Sequence, residues 1–292
     1  MTRQTARKLS ELRHGSHSSD ARESVSAVAG RSGNLDDENG GPLLLGHRGA
    51  RPVPRLSVGA GRRTIPPENS LDCFEYALAN GCDGFEFDVR ITRDRRLVIC
   101  HNAWVGGYKV SASAFESLCA RNGTRLACLE DVLRAFGDRA YLDIEVKVPG
   151  GEELIVKAVR HCRPRCGYLL SSFLPEVLRR LHEIDSALPL GYLCDRSRNI
   201  SLWRRLPIEV FLPHHRLITQ TLVDEVQERG RQIFTWTVNS ESELHELGEW
   251  GVDGLISDDP KLLSDAFPMS SGKAQRRGDG VSRSVKPRSH LD

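Results

Sequence analysis

Much that would narrow the function at once is missing from this chain of 292 residues. No apolar run approaches the roughly 18 residues of a membrane-spanning helix, so no stable membrane insertion is expected. Behind the basic residues of Met1-Thr-Arg-Gln-Thr-Ala-Arg-Lys8 there is no apolar stretch, so a secretory signal is not expected either. Asp20, Glu23 and Asp36 to Glu38 count against an organellar transit peptide, and a cytoplasmic location is the expectation. Charge of one sign is lacking: the net charge is +2, so no overall field argues for nucleic acid as a partner. Aromatic residues are scarce and fall mostly inside patterned segments. There is no Gly-x-Gly-x-x-Gly turn and no P-loop to favour a nucleotide-binding open sheet. Eight cysteines are present but scattered, as in a protein of reduced thiols. His161, Cys162 and Cys166 could form half of a zinc site, but no second pair stands at a suitable distance.

What is present is one patterned block, 42–268, between a segment at 1–41 and a tail at 269–292 that lack hydrophobic periodicity and are expected to be disordered. Within the block, short apolar runs alternate with amphipathic ones. Strands are predicted at Leu43 to Leu45, Gly84 to Val89, Leu97 to Cys100, Tyr141 to Val146, Tyr168 to Ser171, Leu190 to Cys194, Glu209 to Leu212, Gln232 to Val238 and Gly254 to Ser257. Helical faces lie between most of them, as over Leu71 to Leu78, Leu174 to Ile184, Thr219 to Arg229 and Glu241 to Trp250. The last opens on Ser240-Glu-Ser-Glu243, the pattern of a capping box. The turn Thr92 to Arg96 is too short to hold a crossover, so Leu97 to Cys100 must run antiparallel to its predecessor. Setting it aside leaves eight strands separated by helices, the arithmetic of an α/β TIM (β/α)8 barrel with a short antiparallel β-hairpin extension.

In such a barrel the functional groups sit at the C-terminal strand ends, and ionisable residues collect at those positions. The first strand leads into Gly46-His-Arg-Gly49. In the second, alternation puts Glu86 and Asp88 on one face and Phe85, Phe87 and Val89 on the other. Two adjacent carboxylates repel, and burying them unneutralised costs several kcal/mol, so their face must be wet or hold a cation. The antiparallel return brings His101 back towards them. In the next barrel strand Asp143, Glu145 and Lys147 share a face, and Trp236 and Asn239 lie at the same rim.

These residues resemble the glycerophosphodiester phosphodiesterases. The likeness rests on Gly46-His-Arg-Gly49, Pro67-Glu-Asn69, Phe85-Glu-Phe-Asp-Val89, His101, Ile144-Glu-Val-Lys147, Ser171-Ser-Phe173, Trp236-Thr-Val-Asn239 and Gly251 to Pro260, in order over about 43 to 265. The resemblance implies a barrel with a metal-dependent site for a small-molecule glycerophosphodiester, hydrolysed to glycerol 3-phosphate and an alcohol. It implies that Glu86, Asp88 and Glu145 hold a divalent cation, Mg²⁺ or Ca²⁺, for which oxygen ligands are suited. His47 and His101 resemble the acid–base pair. Arg48 and Lys147 would meet phosphate oxygens, Glu68 and Asn69 would support the site, and Trp236 would pack on the glycerol.

The chain departs from the family pattern at Asn102, where an aspartate usually follows the histidine, and at Ser70, where a threonine is usual. The loop from Arg51 to Pro66 is longer than usual and basic, with Arg51, Arg55, Arg62 and Arg63. Two alternatives carry different signatures. A relative acting on lysophospholipids or phosphoinositides would show an apolar loop at Trp104 to Val110, and that stretch is only modestly apolar. A catalytically dead phosphodiester-binding barrel would have lost a histidine or a carboxylate, and none is lost.

Overall fold

The computed structural model describes residues 41–52, 65–123 and 125–268. The segments expected to be disordered, apart from Gly41, and most of the basic loop, including Arg55, Arg62 and Arg63, lie outside the described residues. Eight parallel strands form a closed barrel: β1 (Leu43–His47), β2 (Gly84–Ile91), β6 (Tyr141–Val146), β7 (Tyr168–Ser172), β8 (Leu190–Cys194), β9 (Val210–Pro213), β10 (Gln232–Thr235) and β11 (Gly254–Ser257), in the order β1-β11-β10-β9-β8-β7-β6-β2, with β2 pairing back onto β1. β3 (Leu97–Ile99) hangs on β2 as the expected antiparallel arm, with Val89 opposite Ile99. A separate two-stranded hairpin, β4 (Trp104–Val105) and β5 (Tyr108–Lys109), follows it.

Helices lie between the strands: α1 (Leu71–Ala79), α2 (Phe115–Asn122), α3 (Leu129–Phe136), α4 (Glu152–Cys162), α5 (Pro175–Ile184), α6 (Gln220–Glu228), α7 (Glu241–Glu249) and α8 (Pro260–Ala266). One crossover differs, since β8 and β9 are joined by a 3₁₀ segment over Ser197–Arg205. Among the described residues no helix is long and apolar enough to cross a membrane.

The alternation read in β2 sorts the core. Phe85, Phe87 and Val89 point outward into the layer between strands and helices, where Phe85 stacks on Phe74 of α1 at 4.2 Å and meets the edge of Phe136 of α3 at 5.1 Å. The barrel's own interior is a smaller cluster of Leu45, Leu169, Leu193, Val210, Leu212, Phe234 and Ile256. Glu86, Asp88, Asp143 and Glu145 are buried too, each at 7% exposure or less, although no aliphatic partner needs them there.

Two local expectations are corrected. Ser240 does cap α7 by position, but its hydroxyl makes no capping bond and meets Ser242 Oγ at 2.9 Å. Glu243 is drawn away by His215, whose Nδ1 lies 3.3 Å from it, so the capping box does not close. β10 stops at Thr235 rather than Val238. Beyond it Trp236 keeps only an isolated parallel bridge with His214, its carbonyl accepting from His215 N at 2.8 Å, while its indole N–H donates to the Leu212 carbonyl at 2.9 Å.

Candidate active site

The strand registers assemble the site. His47 of β1 lies beside Glu86 of β2, and Glu86 beside Asp143 of β6. Two residues on, Asp88 lies beside Glu145, and Glu145 beside Ser171 of β7. Residues in register on neighbouring strands present their side chains to the same face of the sheet, so one face near the barrel mouth receives a histidine and four carboxylates. Glu86, Asp88 and Glu145 bring one oxygen each to within 4.8 Å of one another, the one such acidic group among the described residues that could hold a metal ion.

The carboxylates differ sharply in environment. Burial, then the Asp88, Glu145 and Asp143 charges, pushes Glu86 well above the usual carboxylate range. One Glu86 oxygen, Oε1, has no hydrogen-bond partner, while Oε2 accepts from Arg48 N at 2.9 Å. Burial also raises Glu145, to about 7, against the pull of Lys147. Asp143 rises to about 7 for the same reason, although it accepts from Ser171 Oγ at 2.6 Å. Asp88 goes the other way. Burial is its largest single influence and acts upward, but Lys147, Arg48 and the Asn69 amide together outweigh it and hold Asp88 below its usual value. Their contacts are Lys147 Nζ at 3.1 Å, Arg48 Nε at 3.3 Å and Asn69 Nδ2 at 2.8 Å. Lys147 also pairs with Glu145 at 2.7 Å.

The turn after β1 needs its glycines. A Cβ on Gly46 would stand 2.0 Å from the Gly49 carbonyl oxygen, and Gly49 itself has φ +85°. Arg48 (φ 52°) and Asn69 (φ 59°) both adopt the left-handed conformation, and Asn69 N donates to Arg48 O at 3.0 Å. Non-glycine residues there are disfavoured by about 1–2 kcal/mol each, and the reward is placement: Arg48 reaches Asp88 and Glu68, and the Asn69 amide donates to the Asp88 carboxyl while accepting from the Asp88 backbone N–H. Glu68 is less buried and is clamped by Arg48 at 3.0 Å and Arg51 at 2.6 Å, so it orders the two basic groups.

The histidines are held by different partners. His47 Nδ1 is 2.6 Å from Asp258 Oδ1. A carboxylate can only accept, so that nitrogen carries the proton and Nε2 is the exchangeable one, 3.9 Å from Glu86 Oε2. Asp258 is buried, which raises it, but His47, Asn239 Nδ2 at 2.8 Å and Arg51 outweigh that and keep it ionised. Nothing in the sequence reading gave Asp258 a part. The available signal was an acid immediately after the last strand, at the rim where the fold gathers its chemistry. His101 follows β3, with Cys100 N donating to Asp88 O at 3.0 Å, and its Nδ1 meets Asn102 Oδ1 at 3.1 Å. Burial holds His101 below the usual histidine value, against the pull of Asp88. Trp236 packs edge-on against Phe173 at 5.4 Å, and Phe173 lies under Lys147 Nζ at 5.8 Å. Every candidate is therefore at one mouth of the barrel. The half zinc site is not assembled, and the structure records no disulfide for any of the eight cysteines.

A model of the glycerophosphoryl diester phosphodiesterase family matches residues 47–262, most of the chain. The chain belongs to that family. A glycerophosphodiester phosphodiesterase of Caldanaerobacter subterraneus subsp. tengcongensis is 29% identical over 220 residues, covering 68% of this chain and 90% of its own length. Among solved structures, a family member from Parabacteroides distasonis superposes with TM-score 0.64 at 19% identity, covering 77% of this chain and 97% of its own. A phosphodiesterase from Oleispira antarctica, in complex with the product sn-glycerol-3-phosphate, superposes with TM-score 0.63 at 20% identity over 78% of this chain and 98% of its own. At these identities the two structures establish the shared barrel.

Proposed function

We propose that this enzyme hydrolyses glycerophosphodiesters, such as glycerophosphocholine or glycerophosphoethanolamine, to glycerol 3-phosphate and an alcohol, with Glu86, Asp88 and Glu145 holding a divalent cation, Mg²⁺ or Ca²⁺. The observation that carries the reading is the buried triad of carboxylates, with oxygens within 4.8 Å and Glu86 Oε1 unpartnered, facing an Asp258–His47 pair. Three carboxylates crowded in this way repel, and an all-oxygen donor set fits a hard divalent cation. Such a cation, when bound, would offset charge on the phosphoryl oxygens.

The chain's own groups then divide the work. Arg48 and Lys147 offset the diester's negative charge and gain strength as it grows in the transition state. His101, neutral at pH 7 because burial lowers it, accepts the proton of the attacking oxygen. His47, acting in its doubly protonated form, gives its Nε2 proton to the departing alkoxide and keeps the Nδ1 proton held by Asp258. Asn69 keeps Asp88 turned to its place, Glu68 orders Arg48 and Arg51, and Trp236 offers an apolar wall for the glycerol. The catalytic domain is taken as 42–268, acting in the cytoplasm, where free thiols persist.

Purified protein is expected to hydrolyse glycerophosphocholine only with a divalent cation present, and full activity in excess EDTA would overturn the metal assignment. His101→Ala is expected to lower kcat by about 10²–10⁴-fold with an unchanged circular dichroism spectrum. A near-normal rate would remove its acid–base part. A second reading has one observation in its favour. Trp104, 60% exposed, and Tyr108, 43% exposed, sit on the β4–β5 hairpin beside a groove of about 870 Å³ that His101 also lines, a shape suited to an acyl chain. Under that reading lysophosphatidylcholine is turned over faster than glycerophosphocholine, and Trp104→Ala removes the advantage.

A further inference from the structure

The same barrel mouth holds a second concavity, and its charge is opposite in sign to the carboxylate cluster. A pocket of about 710 Å³ is lined by Asp195, Arg196, Arg198, His214, Arg216 and Trp236 among others. These residues follow three consecutive strands, β8, β9 and β10, at the rim where the fold concentrates chemistry. Their placement depends on the 3₁₀ crossover over Ser197–Arg205, which begins as soon as β8 ends and keeps Arg196 and Arg198 at the rim.

Three guanidinium groups face one carboxylate there. Asp195 lies 3.8 Å from Arg196 Nε, while Arg198 and Arg216 form no ion pair among the described residues. His214 does not add to the charge, because its Nδ1 accepts from Arg216 N at 3.2 Å and so is unprotonated. Positive groups outnumbering counterions in a concave site raise the local concentration of anions. The guanidinium fork also matches phosphate oxygens two at a time.

Trp236 links the pocket to the catalytic site by contacts on both sides of its ring. On one side the Trp236 ring meets His214 at 5.1 Å. On the other it meets Phe173 at 5.4 Å, and Phe173 carries Lys147, which is paired with Glu145. Trp236 thus borders the arginine pocket on one side and the residues next to the carboxylates on the other. We propose that Arg196, Arg198 and Arg216 form a subsite for a second phosphate in the substrate, so that the enzyme favours glycerophosphodiesters bearing a further phosphate group over those with a cationic headgroup. This rests on the hydrolytic reading above for its first phosphate, and the arginines add the discrimination.

The test compares bis(glycerophospho)glycerol, which has two phosphodiester groups joined through a glycerol, with glycerophosphocholine. The protein is the full chain and its Arg196→Ala/Arg198→Ala/Arg216→Ala variant. The expected result is a higher kcat/KM for the two-phosphate substrate in the wild type. In the variant the ratio of the two kcat/KM values falls about ten-fold or more, the size of one lost charge-assisted contact. A ratio unmoved by the triple substitution overturns the subsite. Calorimetric titration in excess EDTA separates binding from turnover. There the wild type is expected to bind bis(glycerophospho)glycerol about ten-fold more tightly than the variant does, with glycerophosphocholine binding changed much less. Arginine-dependent binding without hydrolysis of either compound would retain the subsite and remove the phosphodiesterase reading. Hydrolysis of both with arginine-independent binding would do the reverse. If the triple variant is misfolded by circular dichroism, Arg216→Gln, on an exposed side chain, replaces it and is read by the same ratio.

Discussion

At the scale of single residues, the activity reading turns on which atoms hold the histidines. His47 takes its orientation from Asp258 at 2.6 Å. Asp258→Asn keeps the shape but can present an amide N–H to Nδ1, which favours the wrong tautomer. We expect kcat to fall about 10²-fold or more with KM little changed; a loss under about three-fold would show that Asp258 only fills space. The same carboxyl bears on acid stability. Its folded value lies below the ordinary 3.8 because His47, Asn239 and Arg51 outweigh its burial. The stabilisation it provides is therefore present above the ordinary value and is lost as pH falls through the lower, folded one. Urea midpoints of wild type and Asp258→Asn are expected to differ at pH 6 and to converge below about pH 4, near the ordinary carboxylate range. A gap that widened in acid would have the wrong sign.

At the scale of elements, β2 is the working part, polar inward and aromatic outward. Phe85 is fully buried between Phe74 and Phe136. Phe85→Ala is expected to cost about 3–5 kcal/mol of unfolding free energy, and a cost under about 1 kcal/mol would mean that α1 and α3 collapse onto the gap. The helix caps give a sharper contrast. Thr219 Oγ1 accepts from Leu222 N at 3.2 Å, whereas Ser240 makes no capping bond because its hydroxyl meets Ser242. Thr219→Ala should cost about 1 kcal/mol and Ser240→Ala only a few tenths, both by urea denaturation. Equal costs would restore the capping box at α7. That box was readable as a pattern and still failed, since Glu243 finds His215 from the far side of the β9 loop, a competitor no local pattern contains. The antiparallel character of β3 was legible, in contrast, because a short turn leaves no other geometry.

At the scale of the whole molecule, closure of the barrel is what brings four carboxylates from two strands together with a histidine from a third and an aspartate from the last. The proposed metal site, with its crowding of like charge, predicts that a divalent cation stabilises the fold. Thermal melts in excess EDTA should rise on adding Mg²⁺ or Ca²⁺, by about 2.7 kcal/mol of stability at a hundred times the dissociation constant. Glu145→Gln should largely lose that response. A melting temperature indifferent to both cations in the wild type would contradict the metal site.

The barrel, the faces of β2 and β6 and the placing of Glu86, Asp88, Asp143 and Glu145 along their strands were legible in the sequence, because alternation and connection length are local properties that any extended strand must obey. Glu86 and Asp88 stood out because charge on an otherwise apolar strand has no cheap explanation, and His101 because the hairpin returns it to them; the parts of Glu145 and His47 came from the family resemblance. Which groups touch depended on the folded barrel. Asp258 meets His47 across 211 positions because β11 pairs with β1. Asn69 serves Asp88 rather than projecting into open space, and Glu68 is spent on two arginines. The arginines after β8 and β9 share one pocket with Trp236 because those strands are neighbours in the closed sheet. Such contacts depend on register around the whole barrel, and register is set by the summed packing of all eight strands rather than by any stretch of the chain.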